Sequence, residues 1–106
     1  MDDYKEYEMK YRGRHFRMAV SDPLDVVQKH HVSGMFYELE ELEYLRTLIP
    51  PRAVVADVGA NVGNHAIYFS QICRAARVTA FEVNESAIAL LRRNVRLRNL
   101  CKRSPI

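Results

Sequence analysis

The chain has two cysteines in 106 residues, Cys73 and Cys101. Neither sits at the spacing of a metal or redox motif, which leaves a reduced, cytoplasmic setting as the expectation. Long apolar runs are missing too, and none approaches the ~20 residues that cross a bilayer. The opening Met-Asp-Asp-Tyr-Lys-Glu is charged and acidic, unlike a secretory leader. Basic residues are absent between Ala53 and Asn64, within the chain's most distinctive stretch. What remains is 48% hydrophobic residues, a globular composition of a size for one domain.

Charge is unevenly placed. The net charge is +3, with −3 on residues 1–70 and +6 on residues 71–106. A basic half can attract nucleic acid. The plainer reading is a solvated helix face, since no aromatic or base-reading motif accompanies the arginines.

Residues 53–65, Ala-Val-Val-Ala-Asp-Val-Gly-Ala-Asn-Val-Gly-Asn-His, read as a buried strand, a glycine turn and a helix start. Glycines permit a sharp turn and let a ligand lie against the main chain. The helix start offers unpaired N–H groups and a partial positive charge. Ligands of open α/β sheets gather at this end of the strands. A dinucleotide fingerprint needs G-x-G-x-x-G, but from Gly59 the second and third glycine positions hold Asn61 and Asn64. A P-loop would place Lys after Gly63, where Asn64 and His65 stand. The strand ends instead in Asp57, which repels pyrophosphate and attracts an ammonium group. A second strand, 77–82, ends in Glu82, near the ~20-residue interval at which an acid reaches a ribose diol. A ribose, an ammonium and no phosphate describe S-adenosylmethionine better than NAD or ATP.

These residues also resemble a known family. Asp57, Gly59, Ala60, Asn61, Gly63, Asn64 and His65, then Phe81, Glu82 and Asn84, then Asn94, Leu97 and Asn99 are similar to the FkbM type of class I S-adenosylmethionine-dependent methyltransferase. Val83 departs from the proline usual there, and Arg98 alters the spacing before Asn99. Phe36-Tyr37-Glu38 and Glu41-Leu42 resemble the family's segment before the first strand, so the likeness covers about residues 7–100. It implies an α/β, Rossmann-like class I methyltransferase fold, here incomplete: the first two parallel strands and their helices, preceded by a hairpin and helices. Residues 1–52 would be the N-terminal hairpin and helical segment, and 53–106 the N-terminal half of the cofactor-binding domain. The cofactor-binding set would be Glu38, Asp57, Gly59, Ala60, Asn61, Gly63, Asn64, His65, Glu82 and Val83, with no metal. The implied activity is O-methyl transfer to a small-molecule or sugar hydroxyl, with this chain alone inactive. Two alternatives stand beside it: a non-catalytic fragment that folds with a partner or as an oligomer, and an RNA-directed methyltransferase.

The rest of the chain follows from pattern. Tyr7, Met9 and Tyr11, then Phe16, Met18 and Val20, alternate across Arg12-Gly13, the signature of a hairpin. Asp22-Pro23 reads as N-cap and first helical residue of a short helix ending near His31–Gly34. His30 and His31 are expected on the surface. Met35, Leu39, Leu42, Leu45 and Ile49 mark a helix over 35–49, stopped by Pro50-Pro51, with Glu38 near its start. A helix over 64–74 should bury Ile67 and Ile72, with Tyr68 and Phe69 turned toward the hairpin. His65 could serve as a base or be structural. A last helix should open with Ser86 as N-cap, bury Ile88, Leu91 and Val95, turn Arg92, Arg93, Arg96 and Arg98 outward, and end at Asn99. The 53–58 strand should keep one edge unpaired, open to association or to a missing C-terminal half.

Overall fold

The computed structural model describes residues 3–97. Its elements are β1 (Lys5–Tyr11), β2 (Arg14–Val20), α1 (Gln28–Val32), α2 (Leu39–Leu48), β3 (Val54–Val58), α3 (Asn64–Gln71), β4 (Arg77–Phe81) and α4 (Glu85–Leu97). The architecture is mixed α/β, with two two-stranded sheets.

β1 and β2 pair antiparallel, with Met9 opposite Phe16 and Tyr7 opposite Met18. The two turn residues, Arg12 (φ 49°) and Gly13 (φ 77°), are both left-handed, which matches the twist of the flanking strands. One face of the hairpin delivers Met9, Phe16 and Met18 to a core with Phe36, Leu42, Ala66, Ile67, Tyr68 and Val78. Tyr68 is fully buried, and its ring meets Phe36 edge-on at 5.1 Å and Tyr11 at 6.3 Å. The expected turn toward the hairpin is therefore present for Tyr68, whereas the Phe69 ring meets His65. The other face gives Ala19 to a smaller cluster with Val27, Val62 and Leu90. Both halves of the chain contribute to the main core.

β3 and β4 are parallel, Val54 opposite Arg77 and Val58 opposite Phe81, joined through α3. Burial alternates along β3: Val55 packs against the core, while Val54 and Val58 are 73% and 81% exposed. One face of this pair is thus bare. A continuous Val-rich run had pointed to a strand covered on both faces; among the described residues only one face is covered.

Helix starts differ from the pattern reading, and at α1 and α4 the difference traces to a side-chain cap. Asp22 Oδ1 accepts from Leu24 N (3.0 Å) and forms a local turn. Asp25 Oδ2 takes Val27 N and Gln28 N, both at 3.0 Å, so α1 begins at Gln28 and not at Pro23. Likewise Asn84 Oδ1 accepts from Ala87 N (3.0 Å), which makes Asn84, and not Ser86, the cap of α4. α2 begins at Leu39, four residues later than the apolar spacing suggests, and Met35 is exposed. α4 buries Ala87, Leu90, Leu91 and Asn94, while Ile88 and Val95 are only partly covered. His31 is not on the surface but fully buried. Arg98, Asn99 and Cys101 lie outside the described residues. No described helix is long and apolar enough to cross a membrane.

Candidate functional site

The β3 strand runs into a turn held by hydrogen bonds. Gly59 N and Ala60 N both donate to Phe81 O at 2.9 Å, which ties the turn to the end of β4. Gly59 takes φ 81° and Asn61 φ 55°, left-handed values in which glycine is unstrained and asparagine tolerated. Glu82 holds the asparagine there: its Oε1 accepts from Asn61 N at 2.6 Å. Its Oε2 accepts from Val83 N (3.1 Å) and Asn84 N (3.0 Å). These amides, Asn84 foremost, hold the Glu82 carboxyl below its ordinary range. Three of about four lone-pair sites are used, so one remains for a ligand.

The two glycines of the turn have different work. A Cβ on Gly59 would meet nothing within 4 Å, so its open side can admit a ligand. A Cβ on Gly63 would stand 3.0 Å from Leu91 Cδ1 and 4.0 Å from Asn94 Cβ. Gly63, at φ 105°, lets α4 pack down on the turn. The ligand-facing role expected of both glycines fits Gly59 alone.

Asn64, the first residue of α3, is 2% exposed and fully bonded. Its Oδ1 accepts from Tyr37 N and from His31 Nε2, each at 2.8 Å. Its Nδ2 donates to Tyr37 O at 2.9 Å and lies 3.1 Å from His65 Nδ1. An amide pinned by the Tyr37 backbone has its donor on the His65 side, so His65 Nδ1 accepts. The proton of neutral His65 is then on Nε2, which lies 3.1 Å from Glu38 Oε1. Both ring nitrogens are engaged, and the histidine is a strut between Asn64 and Glu38. Glu38 sits at the start of α2 in a left-handed conformation, φ 58° and ψ 43°.

Glu38, Asp57, Gly59, Ala60, Asn61, Asn64 and His65 line one hollow of about 300 Å³ with Val27, Tyr37 and Val58. Glu82 lines an adjoining hollow of about 580 Å³, which shares Gly59 and Asn61 and has Asp22, Asp25, Asn84 and Ser86 on its walls. Asp57 and Glu82 are thus on one end of the parallel pair, linked across the turn. Gly63 and Val83 line neither hollow, and Val83 is 94% exposed. Burial pushes the Asp57 carboxyl up, against the pull of nearby His65 and of the Ala66 amide that bonds it. Its Oδ2 is buried with no hydrogen-bond partner. A buried oxygen without a partner is a costly feature, and the Asp57 carboxyl it belongs to lines a hollow whose chemistry would suit a cation or a donor.

Several organising residues were missed by spacing. Asn94, fully buried, accepts from Ala19 N (2.6 Å) and donates to Val62 O (2.8 Å), fixing α4 to both β2 and the turn. Glu43 accepts from Tyr11 Oη (2.8 Å), Tyr68 Oη, Arg12 Nη2 (2.9 Å) and Arg46 Nη2 (3.3 Å). Arg12 foremost draws its carboxyl down to about 2. Spacing reveals neither role, because Ala19 and Val62 are distant from Asn94, and of the partners of Glu43 only Arg46 is near in the chain. Among the described residues no group of three or more metal-ligating side chains converges.

No protein-family model matches the chain, and no solved structure matches it. Among curated proteins, the AMB antimetabolite synthetase AmbE of Pseudomonas aeruginosa is 36% identical over 72 residues. That alignment covers 56% of this chain and 3% of AmbE, so the chain spans a small fraction of that relative's length.

Proposed function

We propose that the chain is the cofactor-holding, N-terminal part of a Rossmann-like S-adenosylmethionine-dependent methyltransferase of a biosynthetic enzyme. The observation that carries this reading is the buried, partnerless Asp57 Oδ2 beside an open Gly59, linked across the turn to Glu82. Similarity to a segment of a biosynthetic synthetase supports the enzyme class. Asp57 would take the ligand's ammonium, the Gly59–Asn61 backbone would lie against its methionine part, and the free lone pair of Glu82 would take a ribose hydroxyl. Glu38 and His65 would close the ammonium end. When bound, the cofactor supplies an electrophilic sulfonium methyl to an acceptor hydroxyl, of a small molecule or sugar. This chain's residues position and desolvate; none of them is assigned as the base.

Donor chemistry argues against phosphate ligands, since five carboxylates (Glu38, Asp57, Asp22, Asp25 and Glu82) and no lysine or arginine line the two hollows. The test is saturation-transfer NMR and calorimetry with S-adenosylhomocysteine, against NAD and ATP. Binding of the nucleoside alone is expected, and Glu82→Ala should weaken it about tenfold or more, through loss of a charge-assisted contact. Equal binding of ATP, or unchanged affinity in Glu82→Ala, would count against the site. A second reading, a non-catalytic fragment that folds with a partner, is favoured by the bare face of β3 and β4. A melting temperature that rises with protein concentration, with no nucleoside binding, would select it.

A further inference from the structure

The arginines of α4 have no aromatic neighbour in the sequence, but the fold gives them one from the far end of the chain. Arg92, Arg93 and Arg96 line a hollow of about 430 Å³ with Asp3, Tyr4 and Ser21, which flank the open end of the β1–β2 hairpin. The guanidinium of Arg93 lies over the Tyr4 ring, 4.6 Å from its centroid. Asp3, Tyr4 and Ser21 also line a second hollow, of about 390 Å³, with Lys5, Tyr7 and Pro23. The two hollows therefore join into one trough, and both of its tyrosines are partly exposed. Among the described residues Lys5, Arg92, Arg93 and Arg96 have no ion-pair partner. Asp3 is the one carboxylate on the trough, so four cations stand against one anion.

We propose that this trough binds single-stranded nucleic acid, with phosphates on Lys5, Arg92 and Arg96 and bases stacked on Tyr7 and on the Arg93–Tyr4 pair. A guanidinium laid on an aromatic ring keeps its outer face, and bases stack on such planes as they do on tyrosine. A simple anion or an acidic peptide would use the cations and leave the rings idle. A duplex hides its base faces and cannot use the rings either. The hollow that holds Asp22, Asp25 and Glu82 shares Ser21, Ser86 and Leu90 with this trough, and its carboxylates repel phosphate. The strand is thereby kept to the trough and away from the glycine turn, so its binding does not depend on the methyl-transfer reading. Affinity accumulates over successive phosphates and bases, and a mononucleotide such as ATP should bind at least about a hundredfold more weakly than an oligonucleotide.

The test titrates the wild-type chain into a fluorescein-labelled, ten-nucleotide single-stranded RNA at about 50 mM salt, followed by anisotropy. Saturable binding is expected, and log affinity should fall against log salt with a slope of about −3, at about 0.7 for each of four phosphate contacts. The exposed charge reversal Arg92→Glu with Arg96→Glu should weaken binding about tenfold or more, and Lys5→Glu, on the opposite bank, about threefold or more. Tyr4→Leu keeps an apolar side chain against the hairpin but removes the ring under Arg93, and should weaken binding about tenfold with little change in the salt slope. A duplex of the same length should bind at least about tenfold more weakly. Absence of saturable binding, equal binding of the duplex, or a Tyr4→Leu variant that binds like wild type would overturn the proposal. So would displacement of the RNA by an equal charge of inorganic polyphosphate, which would leave an anion site without stacking.

Discussion

Asn94→Ala is the sharpest test of how the glycine turn is held. The side chain is fully buried and joins two main-chain groups that are themselves buried, Ala19 N–H and Val62 C=O. Truncation leaves one donor and one acceptor unpaired, at about 1–3 kcal/mol each, and opens a small void between α4 and β2. The expected loss is therefore about 3–5 kcal/mol. A chain of this length has a total stability on the order of 5–15 kcal/mol, so the variant would be marginal. Urea unfolding followed by far-ultraviolet circular dichroism, with wild type and variant at equal concentration, measures the difference. Asn94→Leu separates the causes, since it restores volume but neither hydrogen bond. If Leu recovers most of the stability, packing and not hydrogen bonding holds α4 to the turn. A loss under about 1 kcal/mol for Ala would refute the reasoning altogether.

Three further outcomes are expected. Gly63→Ala combines φ 105° with a 3.0 Å approach to Leu91 Cδ1, and should cost about 2–4 kcal/mol; Gly59→Ala meets no atom and should cost about 1 kcal/mol while weakening nucleoside binding, both read by thermal melts. Glu43 titrates near 2 when folded and at 4.5 as its ordinary value, so its contribution is complete above 4.5 and fades as pH falls toward 2. The full shift corresponds to about 3 kcal/mol, which water at the quarter-exposed side chain reduces to roughly 1–2; Glu43→Gln should lose that much at pH 7 and flatten the acid limb of a stability–pH curve. Burial lowers His31, so the unfolded chain binds more protons below 6.5 and stability should fall as pH drops from 6.5 toward 5. His31→Gln should remove that slope in urea unfolding at a series of pH values.

Local signals were legible, and long-range ones were not. The hairpin declared itself through strict alternation about Arg12-Gly13, and the parallel pair through two β-rich runs around a glycine turn. Helix starts were displaced because Asp22 and Asp25, three residues apart, are both able caps. Only tertiary placement decides which amides each one meets. His31 looked like a surface residue because no cysteine or carboxylate stands at a ligand spacing from it. Its burial depends on Asn64, 33 residues away. Glu43 gave no warning for the same reason, and Asn94 stood out only by resemblance, without its partners Ala19 and Val62. The site residues on the turn could be read because strand, turn and helix start are contiguous, whereas the Glu38–His65 contact joins two separate segments.

The left-handed backbone at Glu38 has a consequence for engineering. A residue with a Cβ is held there at a cost of about 1 kcal/mol relative to glycine, which occupies that region freely. Glycine at 38 would accordingly make the chain sturdier while taking away the carboxylate that meets His65. A selection for heat resistance alone would drift toward that substitution, and one for ligand capture would drift away from it. Position 38 is where durability and recognition compete.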